Sequence, residues 1–247
     1  MKNPITRDQF DAVLLDLDGV ITDTANIHAA AWKQMFDTYL QKRAAERGVQ
    51  FRPFDVVSDY QRYVDGKLRY DGVRDFLVSR NINLPEGTPD DPPEAETVGG
   101  LGNRKDALVN KVISEEGVKP YEGSVRFIRR FRGEGFKMAV VTSSQNCEAV
   151  LKAARLDSDL KVQVDGNVIH AQQLSGKPAP DAFLMAAQLL GVEPKRAVVI
   201  EDAISGVQAG RNGNFGLVIG IARKANAEEL RRQGAHLVVK DLSELAD

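Results

Sequence analysis

Short runs of consecutive apolar residues alternate along the chain with longer stretches in which apolar residues recur every three or four positions. Continuous runs of valine, isoleucine and leucine are typical of strands that are buried on both faces of a parallel sheet. These runs are 12–17, 138–141, 197–200, 217–219 and 237–239. The helix-like stretches include 125–131, 182–190 and 227–232. The alternation predicts right-handed strand–helix–strand crossovers, and therefore an α/β fold with a doubly wound parallel sheet of Rossmann-like type.

The segment 24–119 interrupts this alternation. It carries the single tryptophan, Trp32, and shows helical periodicity, but it has no strand-like run. It also contains an acidic, proline-rich stretch at 86–93 that cannot continue a helix. We therefore expect two domains: a core formed by 1–23 and 120–247, and a mostly helical cap formed by 24–119.

Composition narrows the class of protein. The 33 Lys and Arg residues nearly balance the 35 Asp and Glu residues, so bulk charge predicts neither a nucleic acid nor an anionic membrane as partner. No apolar run approaches the ~20 residues that span a bilayer. The single cysteine, Cys147, excludes an internal disulfide. We expect a cytoplasmic protein of enzyme size.

Two aspartates close the first strand-like run. Asp16 and Asp18 are two positions apart, so on a continuing strand their side chains would face the same way. Two adjacent carboxylates repel each other unless a cation or a shared proton relieves them, and Mg²⁺ prefers such oxygen ligands. The alternative is a turn whose aspartates cap backbone amides. A calcium loop is disfavoured, because Val20 occupies the third ligand position of that motif.

Polar residues also follow later runs. The hydroxyl residues 142–144 would suit either a phosphate site or the capping of the next helix. Lys177 lies in a proline-framed loop, where it would either balance concentrated negative charge or be solvated. Glu201 and Asp202 form a second pair of carboxylates directly after a strand-like run, which favours metal binding over capping.

Taken together, these segments resemble the four motifs of the haloacid dehalogenase superfamily of phosphotransferases. The motifs occur in the family's order: Asp16-Leu-Asp18-Gly-Val, Thr142, Lys177 and Glu201-Asp202. The resemblance covers essentially the whole chain, and the helical insert lies at the family's usual cap position. It implies a Rossmann-like core with an inserted cap.

The resemblance also implies roles for the core residues. Asp16 would be the nucleophile that forms an aspartyl-phosphate, and Asp18 would be the general acid/base. Thr142 and Lys177 would bind the transferring phosphoryl oxygens.

A magnesium ion is the cofactor that the resemblance implies. Asp16, the backbone carbonyl of Asp18, and Asp202 would hold it, with Glu201 as a ligand or as support for one.

Finer matches resemble the β-phosphoglucomutases within this superfamily. The residues that would bind substrate by this resemblance are Thr24, His28, Trp32, Arg104, Ser143, Ser144 and Asn146. From the residues alone, His28 would be a partly buried helix residue, Trp32 part of the cap core, and Arg104 a solvated residue at a helix start.

The sequence also departs from the mutase pattern. Gln145 stands where the mutases have a lysine, and the cap is longer because of the extra segment 60–83 and the proline-rich stretch 86–93. The second cap lysine is unassigned, with Lys67 and Lys105 as candidates. We expect a β-phosphoglucomutase that acts as a monomer on a small phosphorylated sugar. The alternatives are a phosphatase of small sugar phosphates and, from another class, a catalytically silent binding module. The intact carboxylates and lysine argue against the silent module.

Overall fold

Six strands form one sheet in the order β3-β2-β1-β4-β5-β6, and every neighbouring pair is parallel. The strands are β1 (Ala12–Leu15), β2 (Lys137–Val141), β3 (Val162–Val164), β4 (Ala197–Glu201), β5 (Leu217–Ile221) and β6 (Leu237–Val239). The structure is a computed structural model that describes residues 4–223 and 226–246. The predicted doubly wound parallel sheet is confirmed.

Nine α-helices are present in these described residues. They are α1 (Ala25–Arg47), α2 (Arg69–Ser79), α3 (Val98–Glu116), α4 (Glu122–Gly133), α5 (Cys147–Ala153), α6 (Gly166–Ala171), α7 (Asp181–Leu190), α8 (Ile204–Asn212) and α9 (Ala227–Arg232). None of the described helices combines the length and the apolar character that crossing a membrane requires.

The sheet lies in the unit formed by Met1–Thr24 and Val118–Asp247, which we call the core unit. All four residues of β1 and all five of β4 are buried, which explains their unbroken apolar sequences. Helix α7 packs along β2 and β3, while α8 packs along β4 and β5. The strand order reverses between β1 and β4, the position where open α/β sheets form their binding crevice.

Two details of the sheet differ from the sequence prediction. β1 ends at Leu15 rather than at position 17, because the carbonyl of Leu17 accepts hydrogen bonds from the amides of Ile21 and Thr22 and so belongs to a turn. The strand β3 was not predicted. Its two valines flank the polar Gln163, and two of its three residues are half-buried, so they do not form an apolar run.

Residues Ala25–Gly117 form a second compact unit, which we call the inserted unit. Its core is a cluster of aromatic rings centred on Phe36. The Phe36 ring centroid lies 5.3 Å from that of Trp32, 5.2 Å from that of Phe54 and 4.1 Å from that of Phe76. Helices α1, α2 and α3 surround these rings.

The proline-rich stretch 86–93 folds back onto the start of α3. Asp91 accepts hydrogen bonds from the hydroxyls of Thr88 and Thr97, and Thr97 caps α3 by accepting the amide of Gly100 at 2.9 Å. A Cβ on Gly99 would lie 2.2 Å from the carbonyl oxygen of Thr88, so only glycine allows this close approach. The stretch is therefore an ordered part of the inserted unit.

We expect Phe36→Ala to lower the free energy of unfolding of the inserted unit by about 3–5 kcal/mol, because it leaves a cavity among the rings. Trp32 is the single tryptophan and stacks on Phe36, so its fluorescence in a urea titration reports on this unit. Val57→Ala, at a residue 63% exposed, is the control and should shift the midpoint little. Equal shifts in the two variants would contradict a core centred on Phe36.

Candidate active site

Three neighbouring strands end at the same level of the sheet. Leu15 of β1 pairs in register with Val140 of β2 and with Ile200 of β4. The polar residues that come next are Asp16 after β1, Thr142 after β2, and Glu201 at the end of β4. Register alone therefore brings the predicted carboxylates and hydroxyl to one edge, beside the reversal of strand order.

Lys177 connects all three of these strand ends. Its Nζ donates hydrogen bonds to Oδ1 of Asp16 and to Oε1 of Glu201, both at 2.6 Å, and to the carbonyl oxygen of Val141 at 3.2 Å. The side chains of Lys177 and Glu201 are both 0% exposed. A charge so far from water needs partners, since an unpaired buried ion costs several kcal/mol. Lys177 is thus not a solvated surface residue.

Burial and neighbouring charges act in opposite directions on this cluster. Burial raises the pKa of Asp16 well above its usual range, and the carboxylates of Glu201 and Asp18 raise it further against the charge of Lys177. Burial alone would lower the pKa of Lys177, but the carboxylates of Asp16 and Glu201 outweigh it and raise that pKa. Lys177 therefore stays charged near neutral pH, whereas ionised Asp16 needs additional positive charge.

The carboxylates of Asp16, Glu201 and Asp202 are all buried, and each offers an oxygen within 4.8 Å of the others. Within 4–223 and 226–246 this is the one group of three or more potential metal-ligating side chains. Three ionised carboxylates exceed the single charge of Lys177, and hard oxygen ligands at this density suit a divalent cation. The buried acidic cluster fits a divalent metal site.

Glu201 has a distinct position in this cluster. Its Oε1 accepts from Lys177, and its Oε2 accepts from the amide of Ala203 at 2.9 Å. A Cβ at Gly206 would lie 1.8 Å from Oε1, so the start of α8 packs directly against this carboxylate. Both oxygens therefore contribute to holding Lys177 and the turn after β4 in place.

Asp18 lies in the turn after β1 and is held by hydroxyl groups. The hydroxyl of Thr24 donates to Oδ1 of Asp18, and that of Thr142 donates to Oδ2 at 3.4 Å. Thr22 extends this arrangement, because its hydroxyl oxygen lies 2.8 Å from that of Thr24. Sequence reasoning missed Thr22, although its spacing of two from Thr24 was the available signal.

The prediction that Asp16 and Asp18 share one face of a continuing strand is wrong, because β1 ends before both of them. A turn at Gly19 places Asp18 instead. Gly19 has φ +91°, and a Cβ there would lie 2.1 Å from Oδ2 of Asp202. Glycine is required on both counts, and the turn lies directly against the acidic cluster.

The hydroxyl residues after β2 stabilise the turn that leads into α5. Oγ1 of Thr142 accepts from the amide of Ser144 at 3.1 Å, and Oγ of Ser144 accepts from the amide of Asn146 at 3.2 Å. Asn146 itself is the N-cap residue of α5 but makes no side-chain capping bond. The hydroxyls thus bond turn amides, and Ser143, Ser144 and Asn146 are all half-buried.

Within the inserted unit, His28 of α1 and Lys105 of α3 are in contact. Nζ of Lys105 lies 2.8 Å from Nδ1 of His28 and 5.0 Å from the ring centroid of Trp32. A charged lysine has no acceptor, so Nδ1 accepts and the proton of a neutral imidazole is on Nε2. Of the two candidate cap lysines, Lys105 is the one beside His28, while Lys67 pairs with Asp75 at 2.6 Å.

The other two candidates in this unit have structural contacts. Trp32 belongs to the aromatic core, as the interpretation from the residues alone proposed. Arg104 is half-buried, and its Nε donates to the carbonyl oxygen of Pro93 at 2.7 Å. Arg104 is therefore fixed to the proline-rich stretch rather than freely solvated.

Comparison with known proteins agrees with this arrangement. The family model described as haloacid dehalogenase-like hydrolase matches residues 10–214. A β-phosphoglucomutase of Mycobacterium bovis is 53% identical over 95% of this chain and 90% of its own length. A β-phosphoglucomutase of Bacillus subtilis is 29% identical over 95% of this chain and 91% of its own.

A solved structure has the same fold. The β-phosphoglucomutase of Clostridium difficile superposes with a TM-score of 0.75 at 24% identity, over 96% of this chain and 93% of its own. With a family model across most of the chain and a relative more than half identical, the chain belongs to the haloacid dehalogenase-like hydrolase family and is a phosphotransferase or phosphatase of that family.

Proposed function

We propose that the protein is a magnesium-dependent β-phosphoglucomutase, which interconverts β-glucose 1-phosphate and glucose 6-phosphate through an aspartyl-phosphate. The observation that carries this proposal is the Mycobacterium relative of that name, which matches nearly the full length of both chains. The complete set of core side chains at one edge of the sheet supports it independently.

Asp16 is the proposed nucleophile. One of its carboxylate oxygens forms a bond to the phosphorus of a phosphomonoester as the bond between phosphorus and the sugar oxygen breaks. Lys177, 2.6 Å from Oδ1 of Asp16, places a positive charge where the oxygens of the transferring group would gather. Phosphoryl transfer depends mainly on such positioning and charge neutralisation. Thr142, Ser143, Ser144 and Asn146 complete the proposed phosphoryl-binding turn.

Asp18 is the proposed general acid/base. It gives a proton to the departing sugar oxygen, and then takes one from the sugar hydroxyl that attacks the aspartyl-phosphate. The hydroxyls of Thr24 and Thr142 bond its two carboxylate oxygens and so fix its direction. A second role as substrate contact is proposed for Thr24 by resemblance.

Asp16, the backbone carbonyl of Asp18, and Asp202 are the proposed ligands of the magnesium ion, with Glu201 as ligand or support. When bound, this ion supplies the positive charge that keeps buried Asp16 ionised and offsets the charge of the phosphoryl oxygens. The role of Glu201 as support is favoured by its bonds to Lys177 and to the amide of Ala203.

The inserted unit is proposed to recognise the sugar phosphate through His28 and Arg104. With Nδ1 of His28 engaged by Lys105, Nε2–H is the group that His28 can offer to a substrate oxygen. Arg104 is the proposed partner of the phosphate that is not being transferred, since a guanidinium grips a phosphate through two parallel hydrogen bonds. The ring of Trp32 stabilises the charge of Lys105 through a cation–π interaction.

A phosphatase of small sugar phosphates is the second candidate, because the matching family is described as one of hydrolases. The two candidates differ in whether a sugar hydroxyl or water accepts the phosphoryl group from Asp16. The core side chains are the same in both.

The deciding assay supplies β-glucose 1-phosphate with catalytic glucose 1,6-bisphosphate and Mg²⁺. We expect glucose 6-phosphate to form without inorganic phosphate, and we expect chelation of divalent ions to stop the reaction until Mg²⁺ is restored. Stoichiometric inorganic phosphate would instead favour the phosphatase. Conversion at full rate in excess chelator would contradict the metal requirement.

We expect Asp16→Asn to abolish turnover, because the amide keeps the shape of the carboxylate but is not a nucleophile. Asp18→Asn should cost roughly 10²–10⁴ in rate through loss of proton transfer. Steady-state rates and a test for the phosphoenzyme by mass spectrometry distinguish the two variants. Asp16→Asn with a tenth or more of the wild-type rate would remove that residue from the nucleophile role, and an unchanged rate in Asp18→Asn would remove the acid/base role.

We expect Arg104→Ala to raise the activation free energy for turnover of glucose 1,6-bisphosphate by about 2–4 kcal/mol. The reason is that the phosphate that is not transferred would lose its charged partner. Hydrolysis of a small aryl phosphate, which has no second phosphate, should barely change. Arg74→Ala is the matched control, as this exposed arginine of the inserted unit pairs with Asp71 and Glu86. Equal losses on both substrates would show that Arg104 serves only to hold Pro93 and the stretch around it.

A further inference from the structure

Arg223 lies two residues beyond the end of β5, at the same edge of the sheet as the candidate active site. Its Nε donates a hydrogen bond to the carbonyl oxygen of Gly19 at 3.1 Å. Gly19 directly follows Asp18, the proposed acid/base. No motif in the sequence marks Arg223, and none of the roles proposed above involves it.

Most backbone carbonyls of the turn that Arg223 contacts have partners elsewhere: that of Leu17 accepts the amides of Ile21 and Thr22, and that of Val20 accepts the hydroxyl of Ser124. Glycine has the least restricted backbone of any residue, and Gly19 adopts φ +91°, where no side chain helps to hold it. Its amide donates to the carbonyl of Thr22 at 2.8 Å, so only its carbonyl remains to be fixed. Arg223 supplies that bond. The orientation of the peptide between Gly19 and Val20, directly beyond the residue that follows Asp18, therefore depends on this guanidinium.

The guanidinium is itself held on two sides. Its Nη1 bonds the carboxylate of Asp241 at 2.6 Å, and its central carbon lies 3.5 Å from the ring centroid of Tyr121. Tyr121 in turn donates its hydroxyl to Asp23 at 2.9 Å and its amide to the carbonyl of Ile21 at 2.9 Å. Arg223 thus connects Gly19 to Tyr121, which in turn bonds the residues that follow the turn.

One nitrogen of the guanidinium carries an energetic cost. Nη2 of Arg223 is buried and has no hydrogen-bond partner within the described residues. Leaving a buried donor unsatisfied costs about 1–3 kcal/mol, although the face of Tyr121 offsets part of it by a cation–π interaction. A side chain chosen only for stability would avoid this cost, whereas local costs of this kind are expected at functional sites.

We propose that Arg223 is a positioning residue for catalysis, which holds the turn at Gly19 so that Asp18 faces the reacting oxygen. This inference rests on the proposed role of Asp18. The competing explanation is that Arg223 merely anchors the C-terminal segment through Asp241, which caps the final helical turn at Leu242–Leu245.

Three variants separate these explanations. Arg223→Met removes every donor but keeps an apolar chain over Tyr121. Arg223→Lys keeps the charge and one donor group. Asp241→Asn weakens the ion pair, leaves the bond to Gly19, and retains a side chain that can cap Ser243. Urea unfolding of each variant establishes that it is folded under the assay conditions.

For Arg223→Met we expect kcat to fall by about 10- to 100-fold, in line with the effect of misplacing a catalytic group by up to an ångström. KM should change by less than about threefold, because the proposal assigns Arg223 no substrate contact. Arg223→Lys should recover part of kcat, and Asp241→Asn should retain it within about twofold. Both β-glucose 1-phosphate and an aryl phosphate are assayed. The variants can then be compared with the wild-type protein on whichever of the two substrates it turns over.

Hydrogen exchange measured by mass spectrometry gives a readout that needs no substrate. Arg223→Met should speed exchange in the peptide covering 16–24, whereas Asp241→Asn should affect only 237–246. Unchanged kcat with faster exchange confined to 237–246 would overturn the proposal in favour of a C-terminal anchor. A rise in KM at constant kcat, or an equal loss of kcat in Asp241→Asn, would also overturn it. Failure of the mutase assignment would appear in the wild type instead.

Discussion

The buried ion pairs of Lys177 with Asp16 and Glu201 are the interaction on which the rest of this site depends. A buried lysine and two buried carboxylates are stable only while the lysine remains bonded to both of them. Their positions follow from the sheet, because the register of β1 with β4 sets the distance between the two carboxylates. Lys177, in the loop before α7, lies between these two carboxylates and bonds both. Fold and charge arrangement are therefore parts of a single constraint.

The cluster at this edge of the sheet also contains more carboxylates than Lys177 can neutralise. Lys177 balances one carboxylate, and Asp202 adds a further one at the turn after β4. Burial, together with the carboxylates of Glu201 and Asp18, disfavours the ionised form of Asp16 and so raises its pKa. The arrangement is one that becomes electrically balanced only with a cation, and phosphoryl groups bind readily to a site where such a cation and a lysine meet.

The sequence predicted the sheet and the polar residues that gather at one edge of it, because both depend on local patterns. Apolar runs identified five strands, and polar residues directly after them identified Asp16, Thr142 and Glu201. The short strand β3 has no such run, and the end of β1 depends on a turn whose hydrogen bonds to Leu17 are invisible in the sequence. Contacts between residues far apart in the sequence could not be predicted either. The pairing of Lys105 rather than Lys67 with His28, and the bond from Arg223 to Gly19, both arise from packing alone.

The point where the chain leaves and re-enters the core unit has a consequence for how such proteins diversify. The amide of Asp23 donates to the carbonyl of Lys119 at 2.9 Å, and Thr22 forms a bridge with Pro120, so the two ends of the intervening 25–117 segment meet. For a connection whose ends are already joined, each doubling of length adds only about 0.6 kcal/mol of closure entropy. The crossover from β1 to α4 can therefore accept inserts of very different sizes while the sheet stays the same. The insert of this chain has its own aromatic core, so its length can change without altering the register of β1 with β2 and β4.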